Sequence, residues 1–314
     1  MTKQPKRLYA YKNHHMDSAR WDAFAPRPDD IVIATSYKSG TTWMQTIVAN
    51  LIFEGGAIPG APMMMSPWLD MRLSPIEEVT AMLDAQQHRR FIKTHLPLDA
   101  LPFHAHVKYI MVGRDPRDVA MSMLNHHNNF TDEARALFDQ LAESEDDRLP
   151  PPFASAQEFW RAHMSKGTVA WENDGWPFWS SIRYAQSWWE HRDQANILLV
   201  HYNDLLEDLE GEIRRIAAFL DIERSDAEFA RVAAATTFSS MKKRAEEVTG
   251  EIANMIWKGG AKTFINQGTN GRWREHFDAT DLALYETAVS RTLSPDCRDW
   301  LENGRLAACA SVAA

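Results

Sequence analysis

Four short apolar runs with β-branched residues stand out along the chain. They are Ile31–Ala34, Phe91-Ile92, Tyr109–Val112 and Ile197–Val200. Polar residues follow each run, and a pattern of apolar residues at helical spacing comes next, which is typical of βα units. The pattern predicts a single α/β domain over residues 1–314, with a central parallel β-sheet flanked by helices.

Three helices are predicted from the apolar spacing after these runs. Their expected positions are about Thr41 to Phe53 with a C-cap at Gly55-Gly56, from Pro116 onward with a buried stripe of Val119, Met123 and Leu124, and roughly Asn203 to Leu220. In open α/β sheets, ligands bind outside the carboxyl ends of the strands. The residues that follow each apolar run are therefore the candidates for function.

Two segments differ in composition from the predicted elements. Residues 55–75 are rich in Pro, Gly and Met, and residues 131–152 carry an acidic run that ends in three prolines. Both are candidates for a lid over an acceptor pocket, with a solvated loop and a charged helix face as the alternatives. The Trp188-Trp189 pair is predicted to pack in the core.

The segment Tyr37–Trp43, with sequence YKSGTTW, directly follows the first apolar run. It predicts a tight glycine turn between a strand and a helix, whose backbone N–H groups and helix dipole attract an anion. Lys38 adds a mobile positive charge, and Ser39, Thr41 and Thr42 add hydroxyl donors. The segment is not a Walker A box, since position 35 is Thr and the lysine precedes the glycine.

Composition and charge narrow the classes of function. The chain has 314 residues, 45% hydrophobic content and a net charge of −9, which disfavours a general nucleic-acid surface. Cys297 and Cys309 have neither metal-ligand spacing nor a disulfide framework, which favours a reducing compartment. No run of 18 apolar residues and no signal-peptide core are found, so the protein is predicted to be cytoplasmic, without stable membrane insertion.

The YKSGTTW string resembles the 5′-phosphosulfate loop of the sulfotransferases. These enzymes transfer a sulfuryl group from 3′-phosphoadenosine 5′-phosphosulfate (PAPS) to an acceptor hydroxyl or amine. The resemblance implies a P-loop-kinase-like nucleotide-binding core in which Trp43 stacks beside the adenine. The donor-binding residues that it implies here are Lys38, Ser39, Gly40, Thr41, Thr42 and Trp43.

The second apolar run leads into Lys93–Pro97, with sequence KTHLP. A histidine at the end of a central strand, facing the same crevice as Lys38, is placed to take a proton from an acceptor hydroxyl. His95 is one of 12 histidines, and a lone histidine is more often structural. KTHLP resembles the family segment that carries the catalytic base, which implies His95 as the base and Lys93 as a stabiliser of the transferred group.

The third run leads into GRDPRDVAMS, in which Arg114 ends the strand and Ser122 lies two turns into the next helix. This string resembles the family motif that binds the 3′-phosphate, which implies this role for Arg114 and Ser122. Ser122 is also expected to hold Lys38 away from the donor until an acceptor arrives. A surface ion pair with Asp118 is the expected role of Arg117.

Further resemblances concern the adenosine side of the donor. Tyr202 matches the position of the family tyrosine near the nucleotide, with a core tyrosine as the alternative, and TTFSSM resembles the adenine-side segment. The residues implied are Tyr202, Thr236, Thr237, Phe238 and Met241.

The segment Phe264–Trp273 resembles the family motif RKGxxGDWKxxF, and it implies donor contacts by Asn266, Gln267 and Gly268. The motif's Arg-Lys pair is Asn266-Gln267 here, so two cationic phosphate contacts become neutral amides. Lys258 and Arg272 are the candidates to supply the missing charge.

The resemblance covers about residues 30–277. The dimer motif KxxxTVxxxE of many cytosolic members is missing, since the stretch 274–283 lacks its TV and its acidic end. An oligomer, if formed, need not be theirs. The tail, about residues 305–314, is predicted to be disordered.

These observations and the family resemblance predict a PAPS-dependent sulfotransferase that acts on a hydroxyl, or an amine, of a small, apolar acceptor and needs no metal. PAPS is the expected donor and 3′,5′-ADP (PAP) the expected product. The alternatives are a nucleotide-dependent phosphotransferase of the same fold class and a catalytically silent protein that binds PAP. A Walker A box and a magnesium-binding acid would favour the first, and retention of Lys38 and His95 disfavours the second.

Overall fold

The computed structural model describes residues 4–307. Its sheet has four parallel strands in the order β2-β1-β3-β4. The strands are β1 (Ile31–Thr35), β2 (Phe91–Thr94), β3 (Lys108–Gly113) and β4 (Ile197–His201). Each overlaps a predicted apolar run, because strands of a parallel sheet are covered on both faces and need continuous apolar sequence. The prediction of an α/β fold with a parallel sheet is confirmed.

Helices surround the sheet. They are α1 (Thr41–Ile52), α2 (Pro62–Met65), α3 (Ile76–Ala85), α4 (Pro116–Asn128), α5 (Asp132–Leu141), α6 (Ala156–Ser165), α7 (Ser181–Trp189), α8 (Tyr202–Glu207), α9 (Leu209–Phe219), α10 (Asp226–Thr236), α11 (Phe238–Lys243), α12 (Ala245–Thr249), α13 (Ile252–Ile256), α14 (Gly260–Phe264), α15 (Ala279–Thr292) and α16 (Pro295–Asn303). Short 3₁₀ turns lie at Ser18–Ala23, Glu54–Gly56, Leu98–Ala100, Glu145–Asp147 and Arg272–Glu275.

Two predicted helix boundaries are wrong. The segment from Asn203 to Leu220 forms two helices, because Asp208 leaves helical geometry (φ −137°) and its side chain accepts a hydrogen bond from Gly211 N at the start of α9. Asp208 thus acts as an N-cap inside the predicted helix. At α1, the helix ends at Ile52 with Phe53 as the C-cap, and Gly55-Gly56 lie in the 3₁₀ turn that follows.

Some of the residues predicted to pack in the core are buried, and others are only partly buried. Val119 and Met123 on α4 and Trp188 on α7 are buried as predicted, while Leu124 and Trp189 are only partly buried against the core. Residues 55–75, expected to be a long loop, contain the short helix α2, and the acidic segment 131–152 contains α5. Apolar residues of both segments, such as Met65 and Phe138, pack in or against the hydrophobic core, which stabilises these helices.

The role predicted for Arg117 is wrong. Its guanidinium pairs with Asp115 at 2.7 Å and lies over the rings of Trp273 and Tyr285 at 4.3 and 4.5 Å. Asp118 instead accepts a hydrogen bond from Gly271 N at 2.7 Å. These contacts tie α4 to the segment around residue 271, which sequence separation alone does not reveal.

The predicted disordered tail overlaps the described residues only at its start. There, Arg305 N and Leu306 N each donate a hydrogen bond to the Asp204 carboxylate at 3.0 Å, so this part is anchored to α8. Residues 308–314, including Cys309, lie outside the described residues. Cys297 is buried in α16. Within residues 4–307, no helix has the length and apolar character needed to cross a membrane.

Candidate active site

A cavity of about 390 Å³ opens at the carboxyl ends of the strands. Residues that follow all four strands line it: Lys38 after β1, His95 after β2, Arg114 after β3 and Tyr202 after β4. The parallel sheet brings these positions to one edge, although they are far apart in sequence. The expectation that function lies after the apolar runs therefore leads to one shared cavity.

The glycine turn between β1 and α1 has the geometry that its sequence predicts. Lys38 and Gly40 adopt positive φ angles of 60° and 109°. A Cβ at position 40 would lie 3.1 Å from the Tyr202 ring, so the left-handed conformation and the close approach both favour glycine. Gly40, Thr41, Thr42 and Trp43 line the cavity together with Lys38. Ser39 does not: its buried hydroxyl contacts the Ser36 hydroxyl at 2.6 Å.

The Lys38 amino group lies among cations and aromatic rings. It donates a hydrogen bond to His126 Nδ1 at 3.4 Å and sits 4.3 Å from the centre of the Phe264 ring. Burial, together with the positive charges of Lys93 and Arg114, lowers the pKa of Lys38 to about 7. The expected partner Ser122 lines the same cavity, but the hydrogen bond of Lys38 goes to His126, one turn further along α4.

His95 is held with one nitrogen engaged by the backbone. Its Nδ1 lies 2.8 Å from the carbonyl oxygen of Thr35, so Nδ1–H donates and the lone pair resides on Nε2. Tyr37 stacks on the imidazole at 4.5 Å with an interplanar angle of 23°. Burial and the charges of Lys93 and Lys38 lower the pKa of His95 well below its ordinary value. A neutral imidazole with this tautomer can accept a proton at Nε2.

Lys93 is positioned by an aromatic ring and a buried carboxylate. Its amino group lies 3.8 Å from the centre of the Trp68 ring, and Trp68 Nε1 donates to Asp70 Oδ2 at 2.7 Å. Burial lowers the pKa of Lys93 to about 8, although the charge of Asp70 opposes this shift. Lys93 thus provides a second cation in the cavity that loses its proton more easily than an exposed lysine.

Arg114 uses most of its donors to hold the segment 266–272. Its Nε and Nη2 donate to Asn270 Oδ1 at 3.0 and 2.7 Å, and its Nη1 donates to Lys38 O at 3.0 Å. The guanidinium also lies 4.1 Å from the centre of the Tyr202 ring. Arg114 therefore links the glycine turn, α8 and the distal segment. Sequence analysis missed Asn270, its main partner.

The predicted adenosine-side residues divide into two groups. Trp43, Tyr202, Phe238 and Met241 line the cavity, whereas Thr236 and Thr237 do not. Thr236 is buried and its hydroxyl donates to Val232 O at 2.8 Å, while Thr237 caps α11 by accepting from Ser240 N at 3.2 Å. Trp43 is fixed by donating to Thr236 O at 2.8 Å. Thr236 and Thr237 therefore shape the wall without facing the cavity.

The distal segment brings Asn266, Gln267, Gly268 and Arg272 to the cavity. Gly268 has a φ of 69°, and a Cβ there would lie 2.4 Å from the Phe238 ring, so the loop path requires glycine. Arg272 Nε is buried without a hydrogen-bond partner in the described part of the chain. Lys258 pairs with Asp132 at 3.0 Å and does not line the cavity. Of the two candidate compensating cations, the structure places only Arg272 at the site.

The two predicted lid segments supply much of the apolar wall. The residues that line it include Met63, Met64, Met71, Leu73, Phe138, Leu149, Ile252, Ile256 and Trp257. The segment 55–75 contributes its methionines, and the segment 131–152 contributes Phe138 and Leu149. Both segments thus border the pocket as predicted, with α13 and α14 completing the wall.

Three histidines at the cavity were missed by sequence analysis. His14 and His15 come from the N-terminal segment, before the first strand, and His126 lies on α4. His126 has a local signal, since it follows Ser122 by four residues and therefore shares its helix face. The position of His14 and His15 depends on long-range contacts. Within residues 4–307, no group of three or more His, Cys, Asp or Glu side chains is arranged to hold a metal ion.

A family model described as "Sulfotransferase domain" matches residues 28–294. This chain belongs to the sulfotransferase family. It is 37% identical over 309 residues to a glycolipid sulfotransferase of Mycobacterium bovis and 36% identical over 308 residues to one of Mycobacterium tuberculosis, each match covering 94% of both chains. The family resemblance stated from the sequence is confirmed.

Solved sulfotransferase structures share the fold. Retinol dehydratase in complex with retinol and PAP superposes with a TM-score of 0.67 and 25% identity, covering 88% of this chain and 85% of that one. The sulfotransferase domain of this chain accordingly has the P-loop-like α/β core of the family, and the chain is a sulfotransferase enzyme.

Proposed function

We propose that this sulfotransferase uses PAPS as donor and transfers the sulfuryl group to a hydroxyl of an acceptor with a large apolar part, with His95 as the general base. The single observation that carries the proposal is the contact between His95 Nδ1 and the backbone carbonyl of Thr35. The Nδ1–H of His95 donates to Thr35 O at 2.8 Å, which leaves the Nε2 lone pair in a cavity shared with Lys38, Lys93 and Arg114.

The cavity suits an anionic nucleotide. Among its described lining residues are Lys38, Lys93, Arg114 and Arg272, and none is Asp or Glu. This local excess of positive charge occurs in a protein whose net charge is −9. The orphaned Arg272 Nε is a donor with no internal partner among the described residues, as expected beside a phosphate. Lys38, Arg114, Ser122, Arg272 and the amides of the glycine turn would hold the phosphate groups.

Aromatic and apolar side chains line the part of the cavity where we place the adenine of the donor. Trp43 and Tyr202 meet edge to face at 5.2 Å, and Phe238 and Met241 line the same end of the cavity. Such a surface favours a planar heterocycle. Asn266, Gln267 and Gly268 would complete the nucleotide site, with the backbone of the loop held open by Gly268.

His95 would take the acceptor proton on Nε2 as the acceptor oxygen forms its bond to sulfur. The bond between sulfur and the bridging phosphate oxygen then breaks, so that PAP leaves and a sulfate ester forms. Lys38 would stabilise the charge that develops on the bridging oxygen, and Lys93 would hold the sulfuryl oxygens. The pKa of His95 lies well below its ordinary value, so the imidazole is neutral and its Nε2 lone pair is free for the acceptor proton.

The apolar wall supports an acceptor with an extended apolar part. Methionines from residues 55–75 and aromatic residues from α5 and α13–α14 line the pocket beside His95. Methionine side chains adapt to irregular apolar ligands. Relatives whose names or titles mention glycolipids and retinol support the same acceptor class.

Ligand binding and turnover test the proposal. PAP should raise the thermal stability of the protein, since a ligand specific for the folded state adds roughly 2.7 kcal/mol at a hundredfold excess over Kd. Labelled PAPS should give a labelled sulfate ester with an amphiphilic alcohol, and EDTA should leave this turnover unchanged. An increase in thermal stability with ATP and magnesium, but none with millimolar PAP, would favour a phosphotransferase. PAP binding without any turnover would favour a silent binding protein.

A further inference from the structure

Besides Arg272 Nε and Trp257 Nε1, three further side-chain polar atoms of residues that line the cavity lack hydrogen-bond partners within the described residues. They are His14 Nε2, His15 Nδ1 and Ser66 Oγ. The exposed fractions of the three residues are 2%, 4% and 1%, and all three line the cavity. Buried polar atoms in proteins are nearly always paired with protein, ordered water or ligand. These atoms therefore point to a polar occupant of the cavity.

The two histidines form a continuous wall with the base. The rings of His14 and His15 lie 4.4 Å apart, His15 Nε2 contacts the Tyr37 hydroxyl at 2.9 Å, and Tyr37 stacks on His95 at 4.5 Å. A molecule whose hydroxyl group reaches His95 can thus extend further polar groups along this wall.

Ser66 approaches the same region from another segment. The next residue, Pro67, accepts a hydrogen bond at its carbonyl from Lys93 N at 3.1 Å, on the strand that leads to His95. Ser66 therefore lies beside the β2 end of the cavity. A serine hydroxyl can both donate and accept, which suits it to a ligand hydroxyl.

The backbone around the histidines is fixed before any ligand binds. Asn13 Oδ1 accepts from His15 N at 3.2 Å and from Met16 N at 3.0 Å, and His14 N donates to Asp147 Oδ1 at 2.8 Å. Since the polar atoms are already positioned, a ligand need not order this segment when it binds.

The chemistry of these groups favours neutral hydroxyls. Burial and the nearby charges of Lys93 and Arg72 lower the pKa of His15 well below its ordinary value, so this imidazole is neutral. A neutral imidazole accepts and donates hydrogen bonds but offers no charge to an anion. The polar wall thus differs from the cationic part of the cavity around Lys38, Arg114 and Arg272.

We propose that His14, His15 and Ser66 form a subsite for the hydroxyl groups of a carbohydrate headgroup, beside the position where His95 receives the proton of the sulfated hydroxyl. The acceptor is then an alkyl or acyl glycoside, with its sugar at this wall and its chain along the methionine-lined wall formed by Met63, Met71 and their neighbours. This inference rests on the proposed function for the placement of the acceptor.

Two probes with the same alkyl chain separate the contribution of the sugar to binding from that of the alkyl chain. Octyl glucoside, below its micelle concentration, and 1-octanol are titrated by calorimetry into the protein with and without saturating PAP. The wild-type protein should bind octyl glucoside roughly tenfold more tightly than 1-octanol, as expected for two or three added hydrogen bonds. The double variant His14→Phe with Ser66→Ala should bring the two affinities to within about twofold.

Controls separate loss of the subsite from loss of folding. His104 also has a buried Nε2 without a partner in the described chain but does not line the cavity, so His104→Phe is matched to His14→Phe and should keep the preference. His14→Gln should restore part of it, because an amide still offers hydrogen bonds. If the double variant fails to fold, Ser66→Ala alone should reduce the preference about threefold.

The outcomes are distinct. Equal affinities of wild type for the two probes, or a preference that persists in the folded double variant, would overturn the sugar subsite. Loss of the preference in a folded His104→Phe variant would overturn the subsite, because a residue outside the cavity would then have the same effect. An unchanged preference in a folded Ser66→Ala variant would also overturn it. A protein that fails to bind PAP but keeps the preference without PAP would contradict the proposed function and leave the subsite standing.

Discussion

The amino group of Lys38 lies 3.4 Å from His126 Nδ1, on the helix that also carries Ser122. The two residues are 88 positions apart in sequence, and α4 brings His126 over the glycine turn. Burial and the charge of Lys38 lower the pKa of His126 well below its ordinary value, so the imidazole is neutral and its Nδ1 accepts a hydrogen bond from the Lys38 amino group. We therefore expect His126 to compete with the donor phosphate groups for the Lys38 amino group.

Replacement of His126 tests this contact. In His126→Phe, Lys38 loses a partner that competes with the donor, so PAP should bind more tightly by about 1 kcal/mol, or roughly fivefold. Calorimetric titration measures the change. Ser122→Ala is the informative companion, because it should weaken PAP binding if Ser122 contacts the 3′-phosphate. Weaker binding in His126→Phe would show that His126 supports Lys38 rather than restraining it.

Donor affinity should depend on pH through two lysines. In the free protein the pKa of Lys38 is about 7 and that of Lys93 is about 8. An anion binds the protonated forms, so PAP affinity should fall as pH rises from about 6.5 to 9, by at most about tenfold per pH unit for each proton. Binding should take up protons, which titrations in buffers of different ionisation enthalpy detect.

The matched variant for this prediction is Lys38→Arg. A guanidinium stays charged over the whole range, so the dependence between about pH 7 and 8 should flatten. A wild-type affinity that stays constant over this range would mean that neither lysine titrates in the site.

Removal of the proposed base should separate binding from chemistry. His95→Ala should bind PAP nearly as wild type does, while turnover with an unactivated alcohol falls by roughly 10²–10⁴-fold. The reason is that, in the proposed mechanism, Nε2 takes the acceptor proton while other residues bind the donor phosphates. Steady-state kinetics together with PAP titration decide the point, and a kcat close to wild type would exclude His95 as the base.

Arg272 should supply the charge that the distal motif lacks. It lines the cavity, and its positive charge contributes to lowering the pKa of Arg114. Arg272→Gln should weaken PAP binding by about 1.5–3 kcal/mol, the range for hydrogen bonds to charged groups, and the loss should shrink at high salt. Adenosine 5′-phosphosulfate, which lacks the 3′-phosphate, should lose much less.

Arg274 provides the matched control for Arg272. It lies in the same turn, with its guanidinium over the Trp273 ring at 4.4 Å, and does not line the cavity. Arg274→Gln should leave PAP affinity within about twofold of wild type. Equal losses in the two variants would indicate that the turn as a whole, rather than the Arg272 charge, determines affinity.

Local sequence determined the sheet and the edge at which the site forms. Strands covered on both faces need continuous apolar runs, and the left-handed turn at Gly40 needs glycine, so both features leave a signal in a few adjacent residues. The motifs at and after the strand ends include Lys38, Lys93, His95 and Arg114, which all line one cavity. The helix break at Asp208 was not predicted, because the apolar pattern continues across this residue while its side chain caps the next helix.

Tertiary structure alone decided which side chains meet across the cavity. These contacts join residues that are distant in the chain. Lys38 contacts His126, Arg114 donates hydrogen bonds to Asn270, and His14 and His15 line the same cavity as His95. Ser39, Thr236 and Thr237 belong to motif strings, yet their hydroxyl groups contact neighbouring protein atoms instead of facing the cavity. A motif fixes the path of the backbone, whereas the direction and partner of each side chain depend on packing against segments whose position only the folded chain defines.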